Sequence, residues 1–205
     1  MRGAALIIHP DGAKAALGTA ESPSPLAADL AKRGFLLLSV DTFQTGEARD
    51  PNRKAACHYF PTYNRTDDAQ RVQDILTALA YLEAAWKPAK ISVVGQGMAG
   101  LWCLLARPFI KKECAVAADA VGFDSAKDES YLEKLYVPLL RRAGDFQSAA
   151  LLAAASPLLL HNTGGRFASD AFKHTYELHN ASARLRVSDS EVSATEIAAW
   201  AAKLG

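Results

Sequence analysis

The chain has 205 residues, 50% hydrophobic and 22% charged, and its 23 basic and 22 acidic side chains leave a formal net charge of +1. A chain of this length buries roughly 70% of its unfolded surface, enough for a full core in one domain (residues 1–205) without disulfides or metal. Even charge gives no pull toward nucleic acid or an anionic membrane, no apolar run nears the ~20 residues of a membrane span, and three scattered cysteines, Cys57, Cys103 and Cys114, with no CxxC pair, argue against a disulfide framework or structural zinc.

Leu6-Ile7-Ile8 is a short apolar run stopped by His9-Pro10-Asp11-Gly12, which predicts a buried strand and a loop rather than a signal peptide. Ser24 suits an N-cap and Pro25 the first helical position, with Leu26 and Leu30 on one face and Gly34 as the stop. Phe35-Leu36-Leu37-Leu38-Ser39-Val40 is the next buried strand, and Asp41 to Asn64 is a long loop. Thr66 to Trp86 is the clearest helix, with Val72, Ile75, Leu76, Leu79, Leu82 and Trp86 at 3.6-residue spacing and Pro88 beyond its end. Ile91-Ser92-Val93-Val94 is a strand, followed by Gly95-Gln96-Gly97-Met98-Ala99-Gly100 and a helix from Leu101 to Arg107. Ala115 to Ala118 is a strand ending at Asp119, and residues 127–154 are helical in parts, broken at Pro138 and Gly144. Leu158 to Leu160 is a strand ending at His161-Asn162, a helix covers about 167–178, and Ala183 to Val187 is the last strand. Ser193-Ala194-Thr195-Glu196 is a capping box opening a final helix with Ile197, Trp200, Ala201 and Leu204 inward. Strands alternate with helices six times, and the strands are continuous apolar runs. Both features predict an α/β fold with a doubly wound, mostly parallel sheet covered on both faces.

The segment Gly95–Gly100 is a literal G-x-G-x-x-G between a strand and a helix. Such a turn lets backbone approach a pyrophosphate at a helix N-terminus, and Asp119 lies 19 residues after Gly100, where a ribose-binding acid would stand. Against dinucleotide binding, the turn follows the third strand rather than the first. The plainer alternative is a tight strand-to-helix turn with no ligand.

The order of these segments carries a further likeness. The strand with His9-Pro10-Asp11-Gly12, then Arg33-Gly34-Phe35-Leu36-Leu37-Leu38-Ser39-Val40-Asp41, the long loop and long helix, and Val93-Val94-Gly95-Gln96-Gly97-Met98-Ala99-Gly100 together resemble an α/β hydrolase, in its acetyl-xylan-esterase and dienelactone-hydrolase branch. Tyr63-Asn64-Arg65-Thr66, Arg71-Val72-Gln73-Asp74-Ile75-Leu76, Arg142-Ala143-Gly144-Asp145-Phe146 and Ala155-Ser156-Pro157-Leu158-Leu159-Leu160-His161-Asn162 are similar to esterase-type segments of that branch. The likeness runs from about residue 4 to 204. It implies a three-layer sandwich of about six strands that lacks the first strands of a full hydrolase sheet, so the chain is expected to be a short version or a piece of a larger protein.

The resemblance implies a serine at the centre of G-x-S-x-G, and here that position is Gly97. The implied acid position after residues 158–160 holds Asn162 and Thr163, with Asp170 further on. The implied histidine position after residues 183–187 holds Ser188-Asp189-Ser190-Glu191. Loss of the nucleophile alone costs about 10⁶-fold in kcat in a worked serine protease. Glycine also relieves a backbone strain of roughly 1–3 kcal/mol at such a turn once chemistry is not required. A remnant oxyanion hole would use the Met98 N–H and a donor from Asp11 or Gly12, since Pro10 has none.

The leading expectation is therefore a hydrolase scaffold with a degenerate triad and a ligand pocket at His9, Asp11, Gly12, Gln96, Gly97, Met98 and Asn162, holding a small neutral or ester-like ligand. It needs no cofactor or metal and is expected to be cytoplasmic. A second expectation is an ester hydrolase with a rebuilt site, in which His161 acts as general base and Asp119 orients it; the competing role for His161 is a satisfied core histidine. A third is a nucleotide-binding protein using Gly95–Gly100. Cys57-His58 in the long loop is a poor nucleophile pair, because sequence neighbours rarely face each other productively. The loop aromatics Tyr59, Phe60 and Tyr63 are expected to pack the loop down. Trp86, Trp102 and Trp200 are expected in the core, Cys103 likewise, and His174 and His179 in solvent.

Overall fold

A computed structural model of the protein describes residues 3–53, 63–110 and 112–203. Six strands, β1 (Gly3–Ile8), β2 (Phe35–Leu38), β3 (Ile91–Gly95), β4 (Cys114–Asp119), β5 (Leu158–His161) and β6 (Leu185–Val187), form one sheet in the order β2-β1-β3-β4-β5-β6, with every neighbouring pair parallel. The α-helices among the described residues are α1 (Ala13–Leu17), α2 (Pro25–Lys32), α3 (Asp67–Trp86), α4 (Ala99–Ala106), α5 (Asp128–Glu133), α6 (Asp145–Leu152), α7 (Asp170–Leu178) and α8 (Ala194–Lys203). The α/β prediction and the six-strand parallel sheet hold.

Continuous apolar runs are required because helices cover both faces. Every residue of β1, β3, β4 and β5 is buried. Alternate residues serve opposite layers: Leu6, Ile8, Val93, Val116 and Leu160 pack with α3, α4, α6 and α7, whereas Ala5, Ile7, Val94, Ala117 and Leu159 pack with α1, α2 and α8. Each buried Val, Leu or Ile side chain contributes about 1.5–3 kcal/mol, so the central strands supply most of the cohesion.

Local signals set the helix starts. The Ser24 hydroxyl accepts from the Ala27 N–H at 3.2 Å, with Pro25 in the first turn of α2. Thr66 caps α3 in the same way, accepting from the Ala69 N–H at 3.4 Å. At α8 the Ser193 hydroxyl accepts from the Glu196 N–H at 3.3 Å and meets the Glu196 carboxylate at 3.1 Å, a closed capping box. α3 stops where Lys87 turns left-handed, at φ 44°, one residue before Pro88.

Several expectations need correction. Trp102 is buried, but Trp86 is 53% exposed, in a last turn of α3 that buries no residue beyond Leu82. Tyr63 is 87% exposed and does not pack its loop down; Tyr59 and Phe60 lie outside the described residues. The last strand begins at Leu185, after a 3₁₀ turn over Ser182–Arg184.

The glycines of the Gly95–Gly100 turn let helix and sheet approach. A Cβ on Gly100 would lie 2.1 Å from the Asp119 carbonyl oxygen, and one on Gly95 would lie 2.6 Å from the Ala99 carbonyl oxygen. At the far end of α4, buried Arg107 donates to the Ser156 carbonyl at 2.6 Å and to the Tyr176 hydroxyl, joining α4 to the lead-in of β5 and to α7. Gly100→Ala must therefore push α4 off β4. Urea unfolding should show a loss of more than about 3 kcal/mol, at the upper end for a single overpacking substitution.

Candidate functional site

The chain leaves β1 to one side for β2 and returns to the other side for β3. The carboxyl ends of β1 and β3 thus flank the switch point of the sheet, where ligands of open α/β proteins bind. The loop His9–Gly12 follows β1 there and the Gln96–Met98 turn follows β3. His9, Asp11, Gly12, Gln96, Gly97 and Met98 therefore stand on two loops at this end of the sheet. Asn162, Asp119 and His161 stand at the same end, at β5 and β4.

Asp119 organises the centre. Its carboxylate is 7% exposed and accepts from the Gly97 N–H at 3.1 Å, the Val121 N–H at 2.7 Å and the Asn162 side-chain amide at 2.9 Å. One charged group thereby ties the ends of β3, β4 and β5. Gly97 sits at φ +51°, and a Cβ there would meet only Pro10, at 3.5 and 3.8 Å. Space for a side chain exists; the cost of one is conformational. The Met98 N–H, at the start of α4, donates to no other group among the described residues. The Gln96 side-chain oxygen is buried and has no partner among the described residues.

The loop after β1 is closed on itself. The Asp11 N–H donates to His9 Nδ1 at 3.0 Å and the Gly12 N–H to the His9 carbonyl at 3.0 Å. Asp41, in the segment after β2, fixes the end of this loop, accepting from the Ala13 N–H at 2.6 Å and the Glu47 N–H at 3.1 Å. Gly12 and Gly46 make room for it, because a Cβ on either would reach Asp41 Oδ1, at 2.3 and 2.1 Å respectively.

His161 is buried at the end of β5, where its Nδ1 accepts from the Val192 N–H at 3.3 Å. That bond places the ring proton on Nε2 in the neutral form. Burial pushes the His161 pKa below its ordinary value of 6.5, against the opposing pull of Asp119 and Glu191. The side chain is stored neutral, with its basic lone pair engaged inside the protein. Beyond it the two strand ends are laced: Asn162, Thr163 and Gly164 donate N–H groups to the carbonyls of Ser190, Ser188 and Asp189, and the Thr163 hydroxyl reaches Asp189 at 2.5 Å.

Cys57 and His58 lie outside the described residues. His174 and His179 are exposed. Cys103 and Cys114 are buried thiols; burial pushes both up, Cys114 to about 12, and neither is a nucleophile at neutral pH. Among the described residues no group of three or more His, Cys, Asp or Glu side chains could hold a metal, and no helix is long and apolar enough to cross a membrane.

Sequence reasoning missed two ties. One is Asp41. The other is Asp68, which accepts from Trp102 Nε1 at 2.8 Å, Arg71 at 3.0 Å and the Tyr136 N–H at 2.8 Å, with the Arg71 guanidinium over the Trp102 ring. Aspartate in the first turn of a helix reads as a solvated cap residue; only the 34-residue separation from Trp102, closed by folding, reveals the buried role.

No protein-family model and no curated protein matches the chain. Solved structures do. TT1662 from Thermus thermophilus is similar over 98% of this chain and 87% of its own, with TM-score 0.67 and 16% identity. The Pyrococcus furiosus esterase Pf2001 is similar over 99% of this chain and 81% of its own, at TM-score 0.59 and 16% identity. A candidate acetyl xylan esterase from Bacteroides fragilis is similar over 91% of this chain and 58% of its own, at TM-score 0.64 and 12% identity. The chain therefore has the α/β-hydrolase fold, the one its sequence resembles, and its structural neighbours include esterases.

The stored neutral His161 predicts a pH dependence. As pH falls through about 6.5 the unfolded chain protonates this histidine while the folded chain does not. Its stabilising contribution is thus present above 6.5 and is lost as pH falls, until the lower folded pKa is passed. The slope approaches about 1.4 kcal/mol per pH unit. His161→Gln, which keeps an acceptor for Val192, should flatten that part of the curve when urea unfolding is measured between pH 5 and 8.

Proposed function

We propose that this protein is a catalytically silent relative of the esterases, whose strand-end crevice holds a small neutral or ester-like ligand without hydrolysing it. The observation that carries this reading is Gly97. It occupies the left-handed turn between β3 and α4, where the resemblance requires a serine, and its N–H is held by Asp119. No side chain there can form an acyl intermediate. The loop after β6 offers Ser188, Asp189, Ser190 and Glu191 in place of a histidine. Of the oxyanion donors only the Met98 N–H is free to meet a ligand oxygen, since those of Asp11 and Gly12 are turned to His9. One donor can bind a carbonyl; it stabilises an oxyanion far less than two.

A neutral ligand fits the charge of the crevice. Asp11 and Asp119 stand at the ends of β1 and β4, and no lysine or arginine belongs to the turn at 95–100. The same charge speaks against a nucleotide. Asp119 takes the Gly97 N–H that a phosphate would need, and Gly95 and Gly100 are accounted for by close packing. Water activation by His161 and Asp119 has less support, because the His161 lone pair is engaged by Val192 and Asp119 already accepts three hydrogen bonds.

The test is hydrolysis of p-nitrophenyl acetate. Wild type should be no faster than an unrelated protein, and Gly97→Ser should restore nothing, because the base is missing. Turnover by wild type that disappears in His161→Ala would overturn the proposal. Gly97→Ser should fold, since its Cβ meets only Pro10, at a loss of about 1–3 kcal/mol from the left-handed backbone. Chemical denaturation measures that loss.

A further inference from the structure

The two edges of the sheet are built differently. At one end, β6 carries Arg186 exposed on its middle residue, the usual protection against strand pairing. At the other, β2 reads Phe35-Leu36-Leu37-Leu38 and continues as Ser39-Val40, with no charge and no proline. Leu36, Leu37 and Leu38 are only half-buried. Leu36, Leu38 and Val40 lean on the core layer of α3 and α4, and Phe35 and Leu37 on the layer of α2 and α8. Both faces of this edge are apolar.

The register shows which backbone groups face outward. Ala4 donates to the Lys90 carbonyl and the Ile8 carbonyl accepts from Gln96, so the even residues of β1 point to β3 and the odd ones to β2. Ala5 pairs with Leu37 in the parallel β1–β2 ladder. Leu36 and Leu38 therefore turn their N–H and C=O groups to β1, and Phe35, Leu37 and Ser39 turn theirs away from the sheet. None of these outward groups bonds another part of the protein among the described residues.

This outward pattern is symmetric about Leu37, and we propose that β2 pairs antiparallel with β2 of a second copy across a twofold axis at Leu37. Leu37 would then exchange both backbone bonds with its own counterpart, and Phe35 would do so with the second copy's Ser39. On the opposite face Leu36 would sit against the second copy's Leu38. Every outward donor finds an acceptor and every cross-strand contact among the leucines is apolar. Charge also favours this direction. Lys32 and Arg33 precede the strand, and antiparallel pairing keeps this basic end of one copy away from the same end of the other. Parallel pairing would set like charges together. The sheet would run continuously through both copies and leave only the arginine-guarded β6 edges open. The inference is independent of what the crevice binds.

Sedimentation over a concentration series tests it on the whole chain, with Leu37→Lys, Leu37→Cys and Arg186→Cys beside wild type. Wild type should show a species of twice the 21.9 kDa chain mass. Leu37→Lys should be a monomer with unchanged far-UV circular dichroism. Opposed residues of such a pair lie about 5.5 Å apart at Cα, within disulfide range. Oxidised Leu37→Cys should therefore form a covalent dimer and Arg186→Cys should not; this pair of variants decides the matter if Leu37→Lys fails to fold. A wild type that stays monomeric at every concentration overturns the proposal and leaves the edge to a strand of another chain. A dimer that persists in folded Leu37→Lys, or equal cross-linking at both edges, overturns it by placing the interface elsewhere.

Discussion

The carboxylate of Asp119 holds the working end of the molecule. Three parallel strands end side by side there, and one buried carboxylate that accepts from Gly97, Val121 and Asn162 ties them from a single position. Hydrogen bonds to a charged acceptor are about twice as strong as neutral ones, and a buried carboxylate persists only when its oxygens are so occupied. The turn at Gly97 and the direction of the Asn162 side chain are both tied to that carboxylate.

The turns at this end of the sheet are held by contacts that a catalytic side chain is not part of. The elbow is held by Asp119 and by close glycine packing, neither of which needs a serine. The loop after β1 is held by Asp41 and by His9, neither of which needs a substrate. His161 is anchored to Val192. What the fold fixes in this region is the positions of the strand ends.

Much of this was legible in the residues. Apolar runs such as Ile91–Val94 and the stops at Gly34 and Pro88 are local signals, and each marks the element the structure contains. The capping box at Ser193 is read the same way, because both of its partners lie within one turn. A strand followed at once by a tight loop places that loop at the carboxyl end of the sheet, which is where His9–Gly12 and Gln96–Met98 stand. The ties were not legible. Asp119 meets Gly97 across 22 residues and Asn162 across 43, and nothing near an aspartate in sequence says which distant amides it will meet. The inward assignment of Trp86 failed because helical spacing gives the face of a residue but not how far along the helix burial extends. Tyr63 failed because aromatic character alone does not supply a surface to pack on.

Cys103 and Cys114 sit on α4 and β4, against the same core layer that the elbow rests on, and both thiols are buried with their ionisation suppressed. A reagent that reacts only with exposed thiolate must wait for α4 to leave β4. Their alkylation, followed residue by residue by mass, is thus a clock on how often this protein opens its centre. Because the two cysteines stand on opposite sides of that seam, equal rates mean that helix and strand are exposed in one event, and unequal rates mean that the helix peels away first.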